Sequence, residues 1–160
     1  MKHQAMHKAN AMKIGLVCSH GGHLTEMLQI LESFQGCRVF FATYHSARED
    51  ELAAIAPIHL TDNIGSNYWR MFRALFWALY VLLTERPDVI VSLGAEIAIP
   101  FFYLSKLLRI KTIFIESWCR IDDLSKTGRL VYPMADVFLV QWPQLLQKCG
   151  AKARYYGAVI

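Results

Sequence analysis

The sequence predicts a single α/β domain with a Rossmann-like, doubly wound parallel sheet, and three observations carry that expectation. Short, continuously apolar runs recur along the chain, as in strands of a parallel sheet covered on both faces. Helix-length segments alternate with them. The first run, Lys13-Ile14-Gly15-Leu16-Val17-Cys18, feeds straight into Ser19-His20-Gly21-Gly22-His23-Leu24-Thr25-Glu26, so that a strand, a glycine turn and a helix start follow without a break. At 160 residues the chain is long enough for one domain with a real core.

The elements follow in order. A strand at 13–18 precedes a helix near 23–34, a strand near 37–43, a short helix near 47–55 and an extended piece near 57–60. A longer helix runs from about 67 to 85. Arg86-Pro87-Asp88 ends it, because proline cannot continue a helix, and launches the strand Val89-Ile90-Val91-Ser92. A second glycine turn at Gly94 leads to a helix near 97–109 and the strand Thr112-Ile113-Phe114-Ile115. After a polar loop come a helix near 126–133, a strand from Asp136 to Val140, a helix near 143–148 and a short strand near 153–156. No repeat, low-complexity tract or linker divides the chain. Residues 1–11 are polar, carry His3 and His7, and lack the apolar core of a signal peptide. They are expected to be a disordered leader or an appended extension before a natural start near Met12, leaving 12–160 as the domain.

Composition narrows the function classes. The net charge of +4 comes without an arginine stripe interleaved with aromatics, which argues against nucleic acid as a partner. The four cysteines, Cys18, Cys37, Cys119 and Cys149, show no CxxC spacing, so neither a zinc site nor a disulfide framework is expected, and no metal or other cofactor. Hydrophobic residues make up 54% of the chain, yet no run reaches the length of about 18 apolar residues that spans a bilayer.

Two helices are greasier than a sheet-covering helix requires. In Tyr68 to Leu83, Trp69, Phe72, Phe76, Trp77 and Tyr80 fall on one side, while Met71, Leu75, Leu79 and Leu82 fall on another. The helix containing Phe101 and Phe102 shows the same excess, with Lys106, Arg109 and Lys111 at its end. Aromatics flanked by cations fit the headgroup region of an anionic membrane, so membrane contact is expected of Trp69, Phe72, Phe76, Trp77, Tyr80, Phe101 and Phe102. Burial against a partner protein, or a thick core, would produce the same pattern.

Ligands of doubly wound sheets bind at the carboxyl ends of the strands. There, Gly21 and Gly22 open a helix whose first N–H groups suit phosphate, and His20 and His23 can handle protons near neutral pH, although His23 would serve equally as a cap. Gly94 ends another strand at the same edge, and Glu96 beside it is either a ligand contact or a favourable charge at a helix start. The segment from Ile115 to Arg129 carries the most chemistry. Glu116 ends a buried strand and needs a partner or a function. Arg120 can pair with it or hold a phosphate. Ser125, Lys126 and Thr127 add donors before a helix, or merely cap it.

Glu116-Ser117, Arg120, Leu124-Ser125, Gly128, Tyr132-Pro133, Ala135-Asp136 and Val140-Gln141-Trp142-Pro143 together resemble the Alg-fourteen family. That family supplies the acceptor-side subunit of the split UDP-GlcNAc transferase of lipid-linked oligosaccharide synthesis, with bacterial relatives in capsule and exopolysaccharide synthesis. Ser19-x-Gly21-Gly22-His23-x-x-Glu26-Met27, Arg86-Pro87-Asp88 and Gly94 extend the resemblance over nearly the whole chain from Met12.

The resemblance implies the N-terminal half of a GT-B glycosyltransferase, similar to that half of MurG. By that likeness, Gly21 and Gly22 would cradle the diphosphate of a lipid-linked saccharide acceptor, with Ser19, Thr25, Gly94, Glu96, Ser117, Arg120, Ser125 and Gly128 nearby. His23 would be the base that takes the proton of the attacking hydroxyl, and Glu116 its rival or its orienting group. A separate chain would hold a UDP-sugar carrying GlcNAc or glucose, and the tail residues Tyr155, Tyr156, Val159 and Ile160 would bind that partner. The protein would lie peripherally on the cytoplasmic face of a membrane, the greasy helices standing in for the N-terminal anchor of eukaryotic members, and would be inactive alone. Two other readings remain: a stand-alone α/β hydrolase or nucleotide-binding module using Ser19 or Ser92, for which no G-x-S-x-G elbow is present, and a non-catalytic membrane scaffold.

Overall fold

The computed structural model describes residues 11–159. The leader before residue 11 and the tail position Ile160 lie outside the described residues. Seven strands form one sheet: β1 (Lys13–Val17), β2 (Arg38–Tyr44), β3 (Ile58–Thr61), β4 (Val89–Ser92), β5 (Lys111–Ile115), β6 (Val137–Val140) and β7 (Ala153–Tyr155). Their spatial order is β3-β2-β1-β4-β5-β6-β7, and every pairing is parallel. This is the doubly wound arrangement expected from the continuous apolar runs.

The helices are α1 (Gly22–Gln29), α2 (Glu49–Ile55), α3 (Tyr68–Glu85), α4 (Ala98–Leu108) and α5 (Lys126–Val131). Local chemistry sets their ends. Asn67 caps α3 by accepting from the N–H groups of Trp69 and Arg70, and Arg86 closes it in the left-handed region just before Pro87. Ser125 caps α5 by accepting from Gly128 N. The helix expected over 23–34 is shorter: α1 ends at Gln29, and the chain tightens into a 3₁₀ turn over Leu31–Phe34. The expected helix near 143–148 is likewise a 3₁₀ turn, Pro143–Gln147.

Two apolar layers flank the sheet. On one face α3, α4 and α5 pack Ala74, Ala78, Val81, Phe101, Phe102 and Val131 against Phe40, Ile90, Phe114 and Phe138. On the other, α1 and α2 bring Leu24, Met27 and Leu52 onto Leu16, Phe41 and Val91. The second face is covered unevenly. Ile113 and Leu139 of β5 and β6 are only partly buried and line an open groove beside the terminal segment Tyr156–Val159.

The expectation that Phe101 and Phe102 reach a membrane is corrected here. Both are fully buried: α4 lies on the sheet between α3 and α5, so its apolar residues have protein on several sides. Phe102 meets Phe114 edge-on, and Trp77 of α3 is half-buried with its ring against Phe101. The remaining aromatics of α3 are exposed as expected, with Trp69 at 79% and Tyr80 at 63%. Phe102→Ala should therefore lower the unfolding free energy by about 3–5 kcal/mol in denaturant titration, while Phe76→Ala should change it by no more than about 0.5 kcal/mol.

Candidate functional site

β1 and β4 are neighbours in the sheet, but the crossovers leaving them run to opposite faces, so a crevice opens beyond their carboxyl ends. Three segments line it: the Gly21–Gly22 turn into α1, the Leu93–Ala95 turn after β4, and the loop between β5 and α5. Together they enclose an open cleft of about 770 Å³ whose wall includes Gly22, His23, Ala95, Arg120, Lys126 and Arg129.

The turn after β1 needs its glycine, because Gly21 adopts φ 90°, a conformation costly for a side chain. A Cβ built on Gly21 or Gly22 would meet nothing within 4 Å, so both face open space. No side chain caps the start of α1, which leaves its first amides available to an external acceptor. Thr25 is exposed; its hydroxyl donates to Gly21 O at 3.2 Å and accepts from Arg48 Nη1 at 3.3 Å.

The turn after β4 is shaped around His23. Ser92 is fully buried, and its Oγ accepts from Gly94 N at 3.2 Å. Gly94 has φ 130°, and a Cβ there would lie 2.8 Å from Cε1 of His23, so the imidazole rests on bare backbone. Ala95 follows at φ 67°, an uncommon conformation for a residue with a side chain. The Nδ1 atom of His23 is enclosed and has no hydrogen-bond partner among the described residues. Glu96 faces away from a phosphate role: its Oε1 accepts from Tyr44 OH at 3.0 Å and from Gly65 N at 3.2 Å, tying the loop before α3 to the start of α4. Burial, and then the Glu96 carboxylate, hold the Tyr44 phenol well above its ordinary pKa.

Glu116 is completely buried and engaged. Its Oε1 accepts from Ser117 N at 3.0 Å, and its Oε2 accepts from Ser125 N at 3.0 Å and Ser125 Oγ at 3.1 Å. A Cβ on Gly128 would stand 2.1 Å from Oε2, so that glycine makes room for the carboxylate. Ser117 is turned the other way, its Oγ donating to Glu26 Oε1 at 2.8 Å. Glu116 and Gly128 thus shape the cleft's wall from behind, and Ser117 and Ser125 stand in that wall with their hydroxyls bonded into the protein, whereas Arg120 is exposed at the cleft, where it can meet a ligand.

Residue-by-residue reading of the sequence missed two buried polar groups here. Glu26, on α1, accepts from Trp118 N at 3.2 Å and Gln141 Nε2 at 3.0 Å as well as from Ser117. Arg48 approaches from the loop after β2. A helical i, i+3 spacing from His23 and a polar residue ending the apolar run of β6 were the available signals for Glu26 and Gln141.

Chemically, uncapped helix amides, exposed cations and an imidazole around one crevice suit an anionic, phosphate-bearing ligand whose neighbour must lose or gain a proton. Among the described residues no cluster of His, Cys, Asp or Glu could hold a metal ion. Ser92, buried within its own turn, is unavailable as a nucleophile.

The fold and cleft define a Rossmann-like domain of the GT-B type. MurG of Acinetobacter baumannii superposes with a TM-score of 0.76 at 18% identity over 92% of this chain, which shows the shared fold. The chain spans 45% of that enzyme's length, less than half. Residues 58–159 match the family described as "Oligosaccharide biosynthesis protein Alg14 like", and the chain belongs to that family. Two curated relatives, both named UDP-N-acetylglucosamine transferase subunit ALG14, are 29% identical to it. That of Eremothecium gossypii aligns over 88% of this chain and 76% of its own length. That of Candida albicans aligns over 92% and 78%.

Burial, outweighing the hydrogen bonds from Ser125 and Ser117 and the charge of Arg120, holds the Glu116 carboxyl above its ordinary pKa. The folded protein therefore binds this proton more tightly than the unfolded chain. The stability it contributes is fully present below the ordinary carboxylate pKa of about 4.3 and is lost as pH rises to the raised folded value. Glu116→Gln should remove that decline, so the difference in denaturation midpoint between the variant and the parent should shift in the variant's favour as pH rises through this window.

Proposed function

We propose that this protein is the acceptor-binding subunit of a two-component glycosyltransferase, which moves GlcNAc or glucose from a UDP-sugar to a lipid-diphosphate-linked saccharide. The observation that carries the reading is the imidazole of His23 resting on Gly94 beside the uncapped start of α1. An imidazole beside open helix amides suits a base acting next to a bound diphosphate, in a chain of the Alg14-like family. The acceptor's diphosphate lies on the amides of Gly22 and its neighbours, with Ser19, Thr25 and Arg120 around it. His23 takes the proton of the saccharide hydroxyl as its oxygen bonds to the sugar's anomeric carbon, and the bond from that carbon to UDP breaks. Glu116 is too enclosed to share that role; it holds Ser125 and the cleft wall.

Donor binding falls to a separate chain. This reading is supported by the names of the relatives, which call them subunits. The incompletely covered face of β5 and β6, beside Tyr155, Tyr156 and Val159, offers that partner a surface, and the protein alone is inactive. The exposed aromatics of α3 hold the subunit on the cytoplasmic face of a membrane. Among the described residues no helix is long and apolar enough to cross one.

A transfer assay on membranes with radiolabelled UDP-GlcNAc and UDP-glucose tests this, with the chain alone, a co-expressed donor subunit alone, and both together. Product is expected only in the combination, and turnover by this chain alone would refute the split. In the active combination, His23→Ala should lower turnover by about 10²–10⁴-fold with the complex intact; full activity would reduce the subunit to a scaffold.

Membrane contact has its own readout. In flotation with vesicles containing phosphatidylserine, the parent chain should rise with the lipid. The triple variant Trp69→Asp, Phe72→Asp, Phe76→Asp should stay in solution with an unchanged melting temperature; equal flotation of both would place the membrane surface elsewhere.

A further inference from the structure

The groove beside the terminal segment and the candidate cleft share no lining residue, yet one buried side chain bonds to the terminal segment and to Glu26 in the cleft wall. Gln141 follows the last residue of β6 and is 2% exposed. Its Nε2 donates to Glu26 Oε2 at 3.0 Å and to the main-chain oxygen of Glu116 at 3.1 Å. Its Oε1 accepts from Val159 N at 2.9 Å. These partners fix the orientation of the amide, since each of its two ends has only the kind of partner that end can bond.

We infer that Gln141 is a positioning residue that couples the seating of the terminal segment to the geometry of the crevice through Glu26. Glu26 is buried on α1, one turn beyond His23, and all its donors come from outside that helix: Ser117 Oγ, Trp118 N and Gln141 Nε2. A buried carboxylate that loses one of three donors must find another or move, because its desolvation is otherwise uncompensated. Movement of Glu26 rotates or shifts the first turns of α1, and with them His23 and the open amides. It also releases Trp118 N and so the loop that carries Arg120. Withdrawing Val159 frees the Gln141 amide to turn, which is the event that starts this sequence. Seating Gly157–Val159 holds it still.

A molecule bound against the terminal segment therefore acts on the acceptor crevice without touching it. The consequence for sugar transfer rests on the proposed glycosyltransferase role. The coupling itself is a property of the isolated chain.

Amide hydrogen exchange on the isolated protein measures it, in the parent, Val159→Pro, Gln141→Met and the double variant. Proline removes the one N–H that Gln141 Oε1 accepts, and methionine keeps the volume of glutamine without its amide. Val159→Pro should speed exchange at Ser117–Arg120 and at the hydrogen-bonded amides of α1 from Thr25 onward by about tenfold, the scale of one lost hydrogen bond. Amides of α3 and α4 on the opposite face should be unchanged. In the Gln141→Met background, Val159→Pro should add nothing at those crevice amides, because the link is already cut. An unchanged crevice in Val159→Pro overturns the inference. So does an additive effect in the double variant, which would route the tail's influence around Gln141. Should Gln141→Met fail to fold, the Val159→Pro comparison alone still decides between a coupled and an uncoupled crevice. None of these readings needs donor, acceptor or partner, so a failed transfer assay and a failed coupling are separate results.

Discussion

Two carboxylates, Glu26 and Glu116, are buried at the carboxyl edge of the sheet, and the demand of each for hydrogen-bond donors organises the crevice. A carboxylate withdrawn from water costs several kcal/mol unless donors replace the solvent. Glu26 draws its donors from two other segments, the loop after β5 and the end of β6, and so fastens α1 to both. Glu116 gathers Ser117 and the capping Ser125, which sets where α5 begins, and it leaves no space for any residue but glycine at 128. With those constraints met, the loop between β5 and α5 follows one course and Arg120 comes out at the cleft.

The sheet and its turns were largely legible in the chain because their causes are local. Continuous apolar runs specify buried parallel strands, Pro87 ends α3, and Gly21 and Gly94 mark turns that need unusual backbone angles. What periodicity could not supply was the neighbour of each face. α3 and α4 both carry more apolar residues than one covered face needs, yet α4 is enclosed by the sheet and two helices while, among the described residues, α3 has no element against its outer side. Phe101 and Phe76 therefore have opposite fates from similar surroundings in sequence. The 3₁₀ turns at 31–34 and 143–147 were read as helix because a single turn of either kind has the same pattern of apolar residues.

The site was legible to a different degree. Glycine turns at two strand ends declared a crevice, and His23, Arg120 and the open amides are on its surface. Glu116, Ser117, Ser125 and Glu96 had the right chemistry at the right edge, but the direction a side chain takes is decided by what it must bond. Here all four turn to the protein. Glu26 and Gln141 were the converse: they stand in the segments that carry the family resemblance, but their part in the site comes from long-range contacts, more than ninety positions apart in Glu26's case.

The pairing of β1 with β4 has a consequence for the order in which the molecule comes into being. The first contact between them joins Lys13 of β1 to Asp88 just before β4, 75 residues apart, and the imidazole of His23 has no floor until Gly94 has been added to the chain. A growing polypeptide emerging from the ribosome can assemble β1, β2 and β3 early, but the cleft does not exist while the chain is shorter than that. Closing so long a loop is slow, and a half-made sheet with bare edges is prone to stick to its neighbours. The exposed aromatic face of α3 is synthesised in that interval, before the turn that gives His23 its floor.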